Sequence, residues 1–407
     1  MTSGCPYKNL FDPEFIQDPY PALEFARKEE PVVKIDELNL WLITAHKDVL
    51  KVLRSPKIFS NRNVQSPLFP FSADAVATLA KNGFSPGTAL TGSDGPLHKR
   101  LRAELSKALD FTPERMTSLT ESVKTAATQL LDCIVDEQFD LVASLTFKFP
   151  ARVVFKLIGF PDRDHDQLQA WCMDRLTMFW GRCPPDQQVK VAEGLSAYWK
   201  YCEDFVASIN LNEDTITGRL LAINNEDESR VSRHEITTII FGLVFAGQET
   251  TANALASMFR FLLEDRSRWS AVLHDRSMVL SAFNEALRLA PPIAAWRRYT
   301  EQDVEISGVQ IPAGSHVLLH LGSAGHDDVE FTDPNSFDLK REDSDRHLAF
   351  GMGLHYCLGA PLAKLEAEVL LNMVLDRFPS LELLPEQTFS YIPNIAFRGP
   401  QRLLARK

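Results

Sequence analysis

"HLAFGMGLHYCLGAPLAKLEAEVLL", residues 347–371, places one cysteine, Cys357, between a glycine-rich run and an apolar pattern typical of a helix. Gly351 and Gly353 precede the cysteine, and Gly359 follows it. Glycine is favoured where the backbone needs angles that other residues avoid, or where it passes close to another group. We therefore expect a flat or bulky group to lie against this loop.

The chemistry of Cys357 is that of a lone ligand, because no second cysteine lies near it in the sequence. A thiolate is a strong, soft metal ligand, but zinc and iron–sulfur sites need several cysteines close together. A haem brings four nitrogen ligands of its own and leaves one axial position to the protein. Cys357 is therefore a candidate haem ligand.

Composition and charge are those of a soluble globular protein: of 407 residues, 45% are apolar and 24% are charged. A net charge of -11 argues against binding to nucleic acid or to an anionic membrane. The start, "MTSGCPYKN", lacks a secretory pattern, and no stretch approaches the ~18 to 20 apolar residues of a membrane span. We expect a cytoplasmic protein whose other cysteines are free thiols, namely Cys5, Cys133, Cys172, Cys183 and Cys202.

Hydrophobic periodicity predicts a mainly α protein with small β-sheets, of the α+β class. Strands are predicted in "PVVKI", "LWLIT" and "DVEISGVQIPAGSHVLLHL". Helices are predicted around "DPYPALEFARKEEP" and at Lys47–Leu53, Glu114–Val135, Ser144–Leu157, Ala192–Ile209 and Ser232–Asp265. The last is very long and starts with a capping box of Ser232 and Glu235. No repeat or linker interrupts residues 1–407, which predicts a single domain.

The segment "FGMGLHYCLGAPLAKLE" resembles the haem-thiolate signature of the cytochrome P450 family, F-G-x-G-x-H-x-C-x-G. The matching residues are Phe350, Gly351, Gly353, His355, Cys357 and Gly359. The resemblance implies haem b (heme b, iron protoporphyrin IX) as cofactor and O2 as co-substrate. It also implies a long central distal helix and a cysteine loop on the proximal side. The alternative is a buried structural cysteine in a glycine-rich turn.

Two further segments resemble the family. In "EALR", Glu285 and Arg288 lie three residues apart on one helix face and resemble the pair that braces the core beneath the haem. In "AGQETT", Glu249 and Thr250 fall where the family has an acid and an alcohol that relay protons. We interpret Gly247 as the place where this helix opens to admit oxygen and water. The alternative for Glu249 and Thr250 is a polar patch on a partly exposed helix.

A third segment, "DGPLHKRLR", places His98 and Arg102 one helical turn apart. They match positions that bind a haem propionate in the family, and Arg298 and His355 are further candidates. Cations make sense there, because two carboxylates enter an apolar site and must be paired. We interpret Arg297 and His347 as surface bases, and Glu24 with Arg27 as a solvated helix pair.

The resemblance implies a monooxygenase that inserts one oxygen atom of O2 by hydroxylation or O-/N-dealkylation. Two alternatives are a peroxygenase driven by hydrogen peroxide and a haem-thiolate sensor without turnover. The sequence looks most like the haem portions of bacterial members fused to a reductase, but only 50 residues follow Cys357. We therefore expect a separate ferredoxin or flavodoxin with an NAD(P)H-dependent reductase. Lys99, Arg100 and Lys107 form a candidate basic dock for that partner, with a solvated helix face as the alternative.

The residues at positions that line the substrate pocket in the family are mostly apolar in this sequence. This implies a small or medium apolar substrate, and aromatic substrates belong to that class. An apolar stripe at helical spacing is also what an ordinary core would show. The assigned residues are Leu68, Phe69, Phe71, Met178, Phe179, Trp180, Ala246, Ile293, Ala294, Ala295, Ile395 and Ala396.

Overall fold

A computed structural model of the protein describes residues 9–210 and 213–407, so Cys5 lies outside the described residues. It confirms a mainly α fold with small β-sheets, and the described part of the chain has fifteen α-helices. The helices are α1 Pro13–Gln17, α2 Tyr20–Glu29, α3 His46–Leu53, α4 Ala73–Lys81, α5 Gly95–Leu109, α6 Pro113–Asp132, α7 Phe149–Ile158, α8 His165–Trp180, α9 Gln188–Ser208, α10 Ile216–Glu226, α11 Arg233–Leu263, α12 Arg266–His274, α13 Val279–Leu289, α14 Leu321–Gly325 and α15 Ala360–Arg377.

The strands form one mixed sheet and two smaller antiparallel sheets. They are β1 Val32–Ile35, β2 Leu40–Ile43, β3 Phe59–Ser60, β4 Gln138–Asp140, β5 Ala295–Thr300, β6 Val304–Ile306, β7 Val309–Ile311, β8 His316–His320, β9 Glu382–Leu383 and β10 Leu404–Arg406. The largest sheet has the order β1-β2-β8-β5-β3, and β2 and β8 are its parallel pair. The others have the orders β4-β10-β9 and β6-β7.

The chain divides into two compact units, each built from separated segments. Unit 1 contains the described residues up to Asn63, together with Val123–Phe149 and Thr250–Lys407. Unit 2 contains Val64–Ser122 and Pro150–Glu249. All three sheets belong to unit 1, whereas the regular structure of unit 2 is helical.

The core of unit 1 packs the large sheet against helix α3. Leu319 on β8 and Ile43 on β2 are fully buried there together with Val49 and Val52 of α3. The β8 segment alternates between the two sides of the sheet, and β-branched and leucine side chains fill both sides. This burial holds the end of β5, which carries Arg298, in a fixed register with β8.

The core of unit 2 is aromatic. The rings of Tyr198 and Trp199 on α9 lie 4.5 and 5.5 Å from that of Phe241 on α11. The ring of Phe84 lies 6.0 Å from that of Phe241 in an edge-on arrangement, which favours aromatic pairs beyond simple burial. These contacts fix α9 and the N-terminal half of α11 against each other.

Most sequence-based element predictions are confirmed to within a few residues. The long helix predicted over Ser232–Asp265 is α11, and its capping box forms in both directions. The Ser232 N–H donates to Glu235 Oε2 at 2.8 Å, and the Glu235 N–H donates to Ser232 Oγ at 3.2 Å. The helix predicted over Ser144–Leu157 differs, because a π-helical stretch, Val142–Thr146, precedes α7. No helix among the described residues is both long and apolar enough to cross a membrane.

One pairing prediction is wrong. Glu24 was expected to pair with Arg27, but the Lys28 ammonium donates to Glu24 at 2.6 Å. Arg27 instead donates to Ser323 Oγ at 2.9 Å. Spacings of three and four residues both bring side chains together on a helix, so the spacing alone could not choose the partner.

Candidate functional site

The Cys357 turn takes its shape from two glycines in the left-handed region. Gly351 has φ of 69° and Gly353 has φ of 72°, which a residue with a Cβ rarely adopts. The turn closes where the Cys357 N–H donates to the Phe350 carbonyl at 2.9 Å. The thiol is exposed, and helix α15 begins three residues later at Ala360.

The donor chemistry of this turn fits a haem. Cys357 offers one soft sulfur donor, and a haem requires a single axial ligand from the protein. The sulfur precedes the first turn of a helix of 18 residues, whose N-terminal partial positive charge favours a thiolate. His355 lies half-buried in the same turn.

His347 and Arg297 are not surface bases, which corrects the sequence interpretation. His347 is buried beside Phe350, with 5.5 Å between ring centres, and burial lowers the pKa of its imidazole to about 3. Burial likewise lowers the pKa of Arg297 to about 10. The residues that flank Arg297 and His347 in the sequence are mixed in polarity. The sequence around these two bases therefore did not predict that they would be buried.

Arg298 lies on β5, where successive side chains point to opposite faces of the sheet. Its Cα pairs with Val317 across the ladder, whereas that of Arg297 pairs with Leu318. Both arginines are buried, and the Arg298 guanidinium donates to the Arg297 carbonyl at 2.8 Å. Arg297 and Arg298 therefore present two buried cations on opposite faces of one strand.

Glu285 and Arg288 on α13 form the ion pair that the sequence predicts. Arg288 Nε donates to Glu285 Oε1 at 2.7 Å and Nη2 to Oε2 at 3.0 Å, with neither side chain exposed. Arg288 also donates to the carbonyls of Gly325, Pro334 and Ser336. Both carboxylate oxygens and all five guanidinium hydrogens of the pair thus have partners within unit 1.

Sequence reasoning missed the third member of this cluster. Arg341 Nε lies 3.2 Å from Glu285 Oε1, and the Asp338 N–H donates to Glu285 Oε2 at 3.0 Å. Arg341 and Asp338 are more than fifty residues from Glu285 in the sequence, so no spacing rule points to them. The polar cluster of Glu285, Arg288 and Arg341 is called the buried triad below.

Ala246, Gly247, Glu249 and Thr250 lie on consecutive turns of α11. Glu249 is buried, whereas Ala246 is exposed. The structure also shows a packing reason for Gly247. A Cβ at this position would lie 2.6 Å from Cγ2 of Val154 on α7, so the glycine is required by close packing of two helices.

His98 and Arg102 lie one turn apart on α5, as predicted. His98 is fully buried, and burial together with the Arg102 charge lowers the pKa of its imidazole. This side chain is therefore a neutral hydrogen-bonding group near pH 7. It lies in unit 2 beside a half-exposed guanidinium.

The candidate basic dock is mostly occupied by carboxylates of the protein itself. Arg100 donates to both oxygens of Glu235 at 2.6 and 3.1 Å. Lys107 lies 3.1 Å from Glu104 Oε2. Lys99 and Lys107 are both exposed, whereas Arg100 is partly buried. The solvated or internally paired helix face therefore describes Arg100 and Lys107 better than a dock.

Several predicted pocket residues of unit 2 lie together. The rings of Phe71 and Phe179 are 6.0 Å apart and edge-on, and the Leu68 N–H donates to the Phe179 carbonyl at 3.3 Å. The guanidinium of Arg182 lies 4.8 Å above the ring of Phe69. Met178 and Trp180 on α8 are buried.

Unit 1 brings the other predicted pocket residues together. The N–H groups of Ala294 and Ala295 donate to the Ala396 carbonyl at 2.6 and 3.3 Å. Ile293 forms an isolated antiparallel bridge with Phe397. Ile395, two residues before Phe397, is buried. The segments 293–295 and 395–396 are therefore neighbours in the fold, although about a hundred residues separate them.

Comparison with known proteins shows one family throughout. The Cytochrome P450 family model matches residues 203–398. Cytochrome P450 107B1 of Saccharopolyspora erythraea is 33% identical over 100% of this chain and 99% of its own length. Cytochrome P450 CREJ, in complex with (4-ethylphenyl) dihydrogen phosphate, is 32% identical over 96% of this chain and 97% of its own, with a TM-score of 0.92.

A second solved structure is also similar over nearly the whole chain. The CYP116B5 heme domain of Acinetobacter radioresistens has a TM-score of 0.93 and 29% identity, over 98% of this chain and 96% of its own. That structure is a heme domain, which agrees with the resemblance to haem portions seen in the sequence. With the Cys357 turn and the buried triad in place, the chain belongs to the bacterial cytochrome P450 family: it is a haem-thiolate monooxygenase that binds haem b and uses O2.

Proposed function

We propose that the protein inserts one oxygen atom of O2 into a small or medium apolar organic substrate, by hydroxylation or by O- or N-dealkylation. The observation that carries this proposal is the exposed Cys357 thiol in a glycine turn at the start of α15. The family supports residues 1–407 acting as one catalytic domain, since a relative aligns with the whole chain. We also propose a cytoplasmic location, on the likeness to bacterial relatives.

Cys357 would hold the haem iron through its sulfur. Haem supplies the activation of dioxygen and its insertion into a substrate bond. The chain's part is to keep the sulfur anionic and fixed: the helix N-terminus favours its negative charge, and the Cys357 N–H bond to Phe350 fixes the turn. Gly351, Gly353 and Gly359 would let the backbone lie close to a flat ring.

The haem carboxylates would be bound by His98, Arg102, Arg298 and His355. Burial supports the assignment of Arg298 and His98, because buried polar groups need partners and a carboxylate suits both. With its pKa lowered, His98 would donate one N–H as a neutral imidazole.

Glu249 and Thr250 would deliver protons to the reacting oxygen. Glu249 is buried on α11, and Thr250 is the next residue, so a carboxyl and a hydroxyl lie on one helical turn. A positioned acid or base typically contributes ~10²- to 10⁴-fold in rate. The same pair argues against the peroxygenase alternative, which needs no proton delivery of this kind.

The apolar pocket residues support an apolar substrate body. We propose that Leu68, Phe69, Phe71, Phe179, Ala246, Ile293, Ala294, Ala295, Ile395 and Ala396 line the pocket. The edge-on contact of Phe71 and Phe179 would suit an aromatic ring. The CREJ structure holds an aryl phosphate, which makes 4-ethylphenyl phosphate a useful probe for this chain.

Electrons would come from a separate ferredoxin or flavodoxin with an NAD(P)H-dependent reductase. Of the candidate basic dock, this proposal uses the exposed Lys99, because Arg100 and the likewise exposed Lys107 bind Glu235 and Glu104. Lys99→Glu should then slow reduction at low salt, measured by stopped-flow. Unchanged reduction would remove Lys99 from the dock.

The test of the proposed function is spectroscopic first. Reduced protein under carbon monoxide should show the Soret band of a thiolate-ligated haem, and Cys357→Ser should abolish it. Cys133→Ser, at an exposed cysteine, is the matched control and should leave it unchanged. Turnover with surrogate ferredoxin and reductase, compared with peroxide alone, then separates monooxygenase, peroxygenase and sensor. A band that persists in Cys357→Ser would refute the ligand assignment.

A further inference from the structure

A buried arginine on α8 lacks the charged partner that such a group ordinarily has. Arg175 is 9% exposed, and its Nη1 donates to the carbonyl of Phe241 on α11 at 2.9 Å. The Tyr198 hydroxyl donates to the same carbonyl at 2.9 Å, so Arg175 shares its acceptor. Among the residues that the structure describes, no carboxylate pairs with Arg175.

Aromatic rings are the other neighbours of this guanidinium. Its Cζ lies 4.7 Å from the centre of the Phe241 ring and 5.4 Å from that of Phe245. The faces of aromatic rings attract cations. Two rings and one carbonyl, however, do not compensate for the hydration free energy that a guanidinium loses on burial. Burial accordingly lowers the pKa of Arg175, and it raises the pKa of the nearby Tyr198, Cys172 and Cys202, which are therefore neutral near pH 7. The site would therefore favour an added anion.

Arg175 lies among the proposed pocket residues of unit 2. It is four residues before Phe179 on α8, so the two side chains share one face of that helix. Phe179 contacts Phe71, and Phe245, beneath Arg175, precedes Ala246 on α11. A row of apolar pocket residues thus has a buried cation within it. An arginine that served only the fold would be expected to pair with a carboxylate of the protein, and it would have no need to lie among apolar pocket residues.

We propose that Arg175 binds an anionic group of the substrate, so that the favoured substrates are small apolar molecules carrying one carboxylate or phosphate monoester. The planar guanidinium can donate two parallel hydrogen bonds to either group. The apolar rings then take the rest of the molecule. This inference rests on the proposed function, because it concerns the substrate pocket of that reaction.

The test is a comparison of charge-matched ligands by isothermal titration calorimetry on the haem-loaded protein. The probes are 4-ethylbenzoate, 4-ethylphenyl phosphate and the neutral 4-ethylbenzamide. At least one anion should bind about 10- to 100-fold more tightly than the amide, the range expected for charge-assisted hydrogen bonds. Arg175→Met should remove this preference while leaving the affinity for the amide unchanged. Arg175→Lys should keep part of it.

A matched control separates local binding from overall charge. Arg163→Met removes the same charge from a side chain that is 82% exposed, and it should keep the anion preference. A wild-type protein without anion preference, or an Arg175→Met protein that retains it, would overturn the inference. If Arg175→Met does not fold, Arg175→Gln is measured on the same criterion. A thiolate-type Soret band without anion preference refutes only this inference, whereas loss of the band refutes the proposed function.

Discussion

Two buried arginines in this molecule have opposite surroundings. Arg288, in the buried triad, donates to both oxygens of Glu285 and to three backbone carbonyls. Arg175, on α8, donates to one carbonyl that Tyr198 also uses. A cation whose donors are all taken serves the fold, because it has nothing left to offer a ligand. A cation with donors left over can still bind a ligand.

The buried amide of Gln248 extends the contrast. This side chain is fully buried on α11, and neither its oxygen nor its nitrogen has a hydrogen-bond partner among the described residues. Buried polar groups without partners are uncommon in folded proteins. Unit 2 thus combines a buried amide that lacks partners among those residues with an arginine that donates to one carbonyl, whereas the Glu285–Arg288 pair of unit 1 is fully hydrogen-bonded.

The largest expected effect is at the buried triad. Arg288→Met should lower the free energy of unfolding by ~3 to 5 kcal/mol, because it leaves the Glu285 carboxylate buried without its main partner. Urea unfolding monitored by circular dichroism measures it. The control is Arg276→Met, which breaks an exposed pair with Asp376 at 2.9 Å and should cost ~1 kcal/mol or less. Equal losses in the two variants would contradict the contrast.

Substitution of Glu249 should lower turnover with little effect on stability, in contrast to substitution in the buried triad. Glu249→Gln keeps the size and shape of the side chain but removes the acid, so turnover should fall by ~10²- to 10⁴-fold, the usual contribution of a proton donor. Stability should change by under ~1 kcal/mol. Glu264→Gln, the same substitution one residue beyond the end of α11, is the control and should leave turnover unchanged. A Glu249→Gln protein with full turnover would exclude the proton role.

Buried histidines of unit 1 predict a loss of stability in mild acid. Burial lowers the pKa of His320 to about 3. The unfolded chain protonates this imidazole near pH 6.5 while the folded chain does not, so stability is complete above ~6.5 and falls as pH drops toward 3. Between pH 7 and 5 one such group costs up to ~2 kcal/mol.

The variant that tests this is His320→Asn, which removes the titration. Asn can still accept the Ser323 N–H that His320 Nδ1 accepts at 3.0 Å, so the start of α14 is kept. The pH dependence of urea unfolding should become shallower. His274→Asn, at an exposed histidine, should leave the slope as it is. An unchanged slope in His320→Asn would assign the acid sensitivity to other groups.

The smallest expected effect sharpens the comparison most directly. Arg175→Met should change the free energy of unfolding by ~1 kcal/mol or less, and it can be stabilising, because an apolar side chain replaces a poorly compensated buried charge. Thermal unfolding of ligand-free protein measures this. A loss as large as that of Arg288→Met would show that Arg175 is a structural clamp.

The sequence predicts the parts of the site that are local. Cys357 and its glycines lie within ten residues, and Glu285 and Arg288 share one helical turn, so pattern and spacing were sufficient. The structure adds what distant segments bring together. Arg341 reaches Glu285 from beyond α14, and Arg175 is surrounded by rings from α11. The burial of Arg297 and His347 likewise depends on tertiary packing, which the adjacent residues in the sequence do not reveal.

The Gly247–Val154 contact limits how this protein can be altered. Alanine is the better helix former, yet its methyl group would collide with the valine of α7 and push the two helices apart. Engineering for thermal tolerance that fills helices with alanine should therefore leave this position alone. A larger residue at position 247 would first require a smaller residue in place of Val154.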